Sequence, residues 1–211
     1  MAIPVLIIGK SGSGKSASMM NLKPEETALI SVLGKPLPFK GKFDQYVTDD
    51  SNKIIRAIET TKRDIVVVDD VGYTMTNMFM REHSATGGGN SVFTLYNHIG
   101  DMFWDMIESV RALENDKRVY FIMHEEQNDF GNVRPKTIGK MIDEKVCLEG
   151  MFTICLRCIM SNGKHIFRTQ SDGLDVAKSP IGMFKDLEIP NDLAMVDKTI
   201  CEYYEIGGNK E

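Results

Sequence analysis

The chain has little of several things. Among its 211 residues there are four cysteines, one tryptophan and seven prolines, and no apolar run approaches the length that spans a bilayer. Cys147, Cys155, Cys158 and Cys201 all lie in the last third, too sparse for a disulfide scaffold and in keeping with a reducing compartment. Positive charge is also short: 25 Lys and Arg against 30 Asp and Glu leave a formal charge of -5. That excludes a polybasic protein coating nucleic acid through bulk charge, so any polyanion must be met by a local cluster. The first apolar run, Ile3 to Ile8, is brief and is followed by Gly9 and Lys10. It fits neither a signal peptide nor a membrane span, and a soluble, cytoplasmic protein with no membrane partner is expected. With 42% hydrophobic residues the chain can bury a core.

The apolar runs set the expected architecture. Ile3 to Ile8 does not alternate, as a parallel strand covered on both faces would not, and Thr27 to Val32, Ile65 to Val68 and Val119 to Met123 resemble it. Between them, Ile54, Ile55, Ala57 and Ile58 follow the capping cluster Asp49-Asp50-Ser51, and a helix over about 91–113 carries Val92, Leu95, Ile99, Phe103, Met106 and Val110 three or four apart. Strands alternating with helices predict an α/β fold with a mostly parallel central sheet flanked by helices. After Gly150, the run 151–160, the turn around Asn162-Gly163 and the run 165–169 predict a β-hairpin at the sheet's edge. A last short helix is expected over about 192–204. The organisation is one domain over 1–211, with a core at 1–150 and the hairpin and tail at 151–211.

Directly after the first strand, Gly9-Lys10-Ser11-Gly12-Ser13-Gly14-Lys15-Ser16 satisfies G-x-x-x-x-G-K-S/T and leads through Ala17 into a segment that can turn helical. The residue types follow from phosphate chemistry. Glycines let backbone N–H groups converge on phosphate oxygens, a helix N-terminus adds positive dipole, Lys15 reaches the β- and γ-phosphates and Ser16 can ligate Mg²⁺. A buried strand ending in Asp69-Asp70 supplies a second signal. Asp69 is the expected metal-side acid. Asp70 either polarises an attacking water or caps a helix. His124, at the end of another strand, either senses the γ-phosphate or is satisfied structurally. The Asn-Lys pairs Asn52-Lys53 and Asn209-Lys210 lack the Asp of a guanine-reading N-K-x-D element, so ATP is preferred.

Two long connections leave the same edge of the expected sheet. The first passes Met75, Met78, Phe79 and Arg81 before Gly87-Gly88-Gly89, and reads as a core helix with a linker or as a working loop. The second holds Phe130, Arg134, Lys136 and Lys140, with no acid from Gly131 to Ile142. Cations beside an aromatic suit a single-stranded backbone with stacking bases, and a solvated surface loop is the alternative. Cys155 and Cys158 invite a zinc reading, but positions three apart in a strand face opposite ways.

These features together resemble phage-encoded single-domain RecA-like P-loop ATPases, among them single-strand annealing recombinases and nucleotide-binding proteins of phage recombination modules. The resemblance rests on Gly9 to Ser16, the strands ending at Asp69-Asp70 and His124, Lys136-Thr137-Ile138-Gly139-Lys140, Lys178 to Met183 and Ile189 to Leu193. It implies a RecA-like fold, ATP with Mg²⁺ at a subunit boundary, a homo-oligomeric ring or filament on single-stranded DNA, and a single-strand-binding protein as a further partner. By position it implies DNA loops at 72–89 and 125–140, with Arg168 or Lys178 reaching a neighbour's γ-phosphate. One departure stands out: relatives place a catalytic glutamate after the second core strand, and Ser31-Val32-Leu33-Gly34-Lys35 has none. The expected activity is ATP-dependent binding of single-stranded DNA for annealing or strand exchange, with slow, DNA-stimulated hydrolysis. The alternatives are a nucleotide-gated recruitment module and a small P-loop kinase.

Overall fold

In the computed structural model, which describes residues 1–85, 87 and 90–207, the first apolar run becomes strand β1 (Ile3–Gly9). Alternate side chains go to opposite faces, as the pleat requires. Leu6 and Ile8 join one buried layer, whereas Val5 and Ile7 join the other. The pattern repeats in β2 (Thr27–Ser31), β4 (Ile65–Asp69) and β5 (Arg118–Gln127), with a three-residue β3 (Gln45–Val47) between β2 and β4 in the chain. Both faces need cover, which explains why these runs are apolar without alternation.

The cover comes from helices. Over one layer lie α1 (Ser51–Thr60), α2 (Tyr73–Glu82) and α3 (Asn90–Arg111). Helix α1 starts where Asp50 Oδ1 accepts from the Lys53 amide at 3.2 Å, the cap that the acid cluster predicts. Helix α3 buries Leu95, Ile99, Phe103, Met106, Ile107 and Val110, the periodic face read from the sequence. Each such side chain contributes roughly 1.5–3 kcal/mol when fully buried. Below the four-residue α4 (Lys140–Asp143), the chain returns to the sheet, and α5 (Leu193–Tyr203) covers the second layer. The Asp192 side chain caps α5 through the amides of Ala194 and Met195.

Strands β3, β2, β4, β5, β1 and β7 (Ile154–Ser161) run parallel in that order, followed by antiparallel β8 (Lys164–Arg168) and β9 (Glu188–Pro190). Two expectations change here. The hairpin after Gly150 forms, turning at Asn162 and Gly163, but it is not at the edge, because β7 pairs with β1 and β9 closes the sheet. Ile154, Cys155 and Leu156 are buried on both faces, the mark of an interior strand. And β5 does not stop near His124: it runs on to Gln127 and folds back as β6 (Val133–Pro135), pairing Glu125 with Pro135 and Gln127 with Val133. The expected second loop, 125–140, is therefore largely a β-hairpin. Its tip is fixed by Asn128, whose side-chain oxygen accepts from the amides of Phe130 and Asn132.

The expected first loop, 72–89, is mostly α2, with Met75 and Met78 in the core; Thr86, Gly88 and Gly89 lie outside the described residues, as do Asn209 and Lys210. Cys155 packs in one layer and Cys158 in the other, as three-residue spacing in a strand dictates. Among the described residues, no helix is long and apolar enough to cross a membrane.

Candidate nucleotide site

Because β5 lies between β1 and β4, the strand that ends at Gly9 and the strand that ends at Asp69 are not neighbours, yet both end on one edge. Gly9 registers with His124, and Ser31 with Asp69. The loop that follows β1 therefore meets the acids of β4 across the end of β5.

The loop owes its path to its glycines. Gly12 and Gly14 sit at φ 75° and 98°, a region open to glycine and costly for other residues. A Cβ on Gly9 would come within 2.6 Å of the Cys158 carbonyl. Instead of an α-helix, a short 3₁₀ turn over Ser16–Asn21 follows the loop, so the expected helix dipole is limited to one tight stretch. Lys15 is buried and donates from Nζ to the carbonyls of Gly9 and Lys10, each at 2.8 Å. Burial pulls its pKa down, while nearby Cys158, Asp70 and Asp69 push it back up.

The metal-side pair is in contact. Ser16 donates from Oγ to Asp69 Oδ1 at 2.9 Å. Burial lifts the Asp69 pKa to about 6, helped by the Asp70 carboxylate and opposed by the Ser16 bond. Inside the loop, Ser13 Oγ is buried with no hydrogen-bond partner. A buried hydroxyl without a partner, glycine-made backbone turns, an inward lysine and a Ser–Asp pair are the donor set that a Mg²⁺-bound polyphosphate uses, and the residues fit that group. Ser16 and Asp69 are the residues that would hold Mg²⁺, which would offset the phosphate charge there. Ala17 follows Ser16 as the second residue of the 3₁₀ turn.

Asp70 does not cap the helix that follows it. It is buried at φ 61°, and its Oδ2 pairs with Lys35 Nζ at 2.6 Å; α2 is entered at Gly72 with no side-chain cap. The capping alternative therefore falls, because the carboxylate points to Lys35. Lys35 stands in the segment where the resemblance asks for a glutamate. His124 Nε2 lies 3.6 Å from Asp70 Oδ1, longer than a hydrogen bond, and its ring meets Tyr73 edge-on. Burial, and then the nearby Lys15 charge, lower the His124 pKa and favour the neutral ring, with the Asp70 carboxylate opposing.

A cleft of about 950 Å³ opens from this point, walled by Ser11, Lys35, Asp70, Tyr73, His124 and Lys136. Lys136 and Lys140 are exposed on its rim, and Phe130, 85% exposed, stands at the hairpin tip. Arg134 is less available than the bare segment implied: Glu126 at 2.6 Å and Asp143 at 2.7 Å neutralise it, both supplied from outside the acid-free stretch. Arg81 pairs with Asp49 at 2.5 Å near the far end of α2. Arg168 is held within its own chain by Asp172, Asp175 and Glu188. Lys178 is fixed through its backbone, which bridges to Cys155.

Some neighbours of the site carry no local signal. Lys10 donates to Gln127 at 3.3 Å, tying the phosphate loop to the hairpin. Glu125, buried one residue beyond His124, binds Arg157 in a two-bond fork at 2.9 Å. The carbonyls of Ser13 and Gly14 are engaged by His165 and Asn191.

The family model for an AAA domain matches residues 1–181. The chain belongs to that family. No curated protein matches it. The AAA domain match takes in the phosphate loop, Asp69, Asp70, His124 and the β5–β6 hairpin, and supports a P-loop domain that binds ATP with Mg²⁺. It ends before β9 and α5, so Asn191 and the capping Asp192 lie past the matched AAA domain segment.

Proposed function

We propose that this AAA domain is a slow ATPase that grips single-stranded DNA in one nucleotide state and promotes annealing or strand exchange in phage recombination. The observation that carries the reading is the continuity of β5. The strand passes the phosphate loop at His124 and goes straight into the hairpin that presents Phe130. A change at the γ-phosphate is felt by His124 and, through Lys10 and Gln127, by the turn end of that hairpin. Phe130 offers a stacking face, and Lys136 and Lys140 offer charge for a backbone in an otherwise acidic protein.

Mg²⁺, when bound, draws charge from the β- and γ-phosphate oxygens. The protein's own part is to hold the phosphates on the loop amides and Lys15. Slow turnover follows from Asp70: Lys35 Nζ occupies its Oδ2 at 2.6 Å, which leaves less of the carboxylate free to orient a water. The same pairing favours a second reading, a nucleotide-gated recruitment module that hydrolyses little. Assembly into a ring or filament belongs to the first reading, with Lys178, rather than the internally paired Arg168, as the candidate to reach a neighbour's phosphate. The test is the affinity of a labelled oligothymidylate measured with and without Mg-ATP. Binding strengthened by ATP, and no longer so in Lys15→Ala, is expected. Equal binding in all nucleotide states contradicts gating.

A further inference from the structure

The phosphate loop does not hold its own shape unaided. Two of its carbonyls are bonded from behind by side chains that are distant in sequence. His165 Nδ1, on β8, lies 2.7 Å from the Ser13 carbonyl oxygen; since a carbonyl only accepts, Nδ1 carries the hydrogen. Asn191 Nδ2, just past β9, donates to the Gly14 carbonyl at 2.9 Å. Cys158 Sγ, on β7, lies 2.9 Å from the same Ser13 oxygen and 3.3 Å from Asn191 Oδ1. The contact is close enough that a Cβ on Gly14 would fall within 2.7 Å of Asn191 Nδ2 and 2.9 Å of the His165 ring.

We propose that His165 and Asn191 are positioning residues for nucleotide, which aim the phosphate-binding amides by anchoring the carbonyls on the opposite side of the loop. In a planar trans peptide the carbonyl of one residue and the N–H of the next point in opposite directions. Drawing the Ser13 carbonyl toward β8 therefore turns the Gly14 N–H the other way, and drawing the Gly14 carbonyl toward Asn191 does the same for the Lys15 N–H. Those two amides lie next to the Lys15 side chain, where phosphate oxygens gather. Cys158 closes the cluster, its one S–H donating to the Ser13 carbonyl or to Asn191 Oδ1. The sequence offers no hint of this arrangement, because the partners lie 152 and 177 positions apart. The inference concerns ATP binding alone and stands whether or not the protein binds DNA.

The experiment is titration of a non-hydrolysable ATP analogue with Mg²⁺, without DNA, alongside the melting temperature of each nucleotide-free variant. Asn191→Asp keeps the size of the side chain but sets an oxygen against the Gly14 carbonyl, and His165→Ala removes the bond to Ser13. Each is expected to weaken the analogue roughly tenfold, the size of one lost hydrogen bond at 1.4 kcal/mol. His165→Asn keeps an N–H near the Nδ1 position and should recover most of the affinity. Variants that melt lower yet bind the analogue as tightly as the unmodified protein would overturn the proposal and leave these side chains as packing. So would a His165→Asn protein as weak as His165→Ala. If His165→Ala fails to fold, the near-isosteric Asn191→Asp decides.

Discussion

At Asp69, what metal binding needs and what folding prefers pull in opposite directions. The site needs an ionised carboxylate beside Ser16, while burial lifts the Asp69 pKa to about 6 from an ordinary 3.8. A carboxyl whose folded pKa lies above its unfolded value binds more protons when folded. Its contribution to stability is full below pH ~4 and is lost as pH rises through about 6. Two pKa units correspond to roughly 3 kcal/mol. Asp69→Asn should therefore raise the melting temperature of the metal-free protein at pH 7.5 and flatten its decline between about pH 4 and pH 6, while removing Mg²⁺-dependent ATP binding. A variant that melts with the unmodified pH profile would show that Asp69 is not held in this way. Lys15→Ala tests the other half of the site. Its ammonium bonds to loop carbonyls and stands outside the apolar layers, so the fold should survive while ATP binding falls about a hundredfold or more, as loss of charge-assisted bonds implies. Titration calorimetry beside a melting curve checks both outcomes. Lys15 was legible because consecutive positions write the phosphate loop, and Asp69 because it ends an unbroken apolar strand. Lys35, His165 and Asn191 were not, since each meets the site only after the chain has crossed the sheet.

Among the elements, strands whose apolar residues face two covering layers were the most readable, because β1 and β4 have nothing else to do with so many buried side chains. The hairpin 125–135 was misread as a loop for a physical reason. Its residues are polar, its pairing is antiparallel to the end of a strand already counted, and Asn128 rather than an Asn-Gly pair makes its turn. That matters for which cations are free to meet the proposed DNA strand. Arg134 spends its charge on Glu126 and Asp143, holding the hairpin to α4, whereas Lys136 and Lys140 stand on the cleft rim. Lys136→Gln with Lys140→Gln should lower the salt dependence of oligothymidylate binding by about 1.4 in log–log slope, roughly 0.7 for each lost phosphate contact. Arg134→Ala should leave the slope nearly unchanged and instead speed amide exchange at the hairpin tip. If Arg134 alone carries the slope, the ion pairs described here do not govern its behaviour in solution.

Over the whole molecule, the part beyond the AAA match is tied to the centre. Arg118, at the root of β5, forks onto Asp197 of α5 with both bonds at 3.0 Å, and the Tyr120 hydroxyl donates to the same carboxylate at 2.6 Å. Removing one partner leaves a buried charge behind, so Asp197→Ala should cost about 3–5 kcal/mol, read from the urea midpoint. A shift within the range of a surface pair would mean that the Arg118–Asp197 fork does not hold α5 to the sheet, leaving that to its apolar face. Through this tie, α5 anchors one end of β5 while the phosphate loop and the hairpin lie at the other, and the central claim of the proposed function is that β5 joins nucleotide binding to DNA binding there. The most direct measurement is steady-state ATP turnover with and without single-stranded DNA, on the unmodified protein and on the Lys136→Gln, Lys140→Gln variant. The account predicts slow basal turnover that DNA raises several-fold in the unmodified protein and scarcely at all in the variant. Turnover indifferent to DNA in the unmodified protein would contradict it.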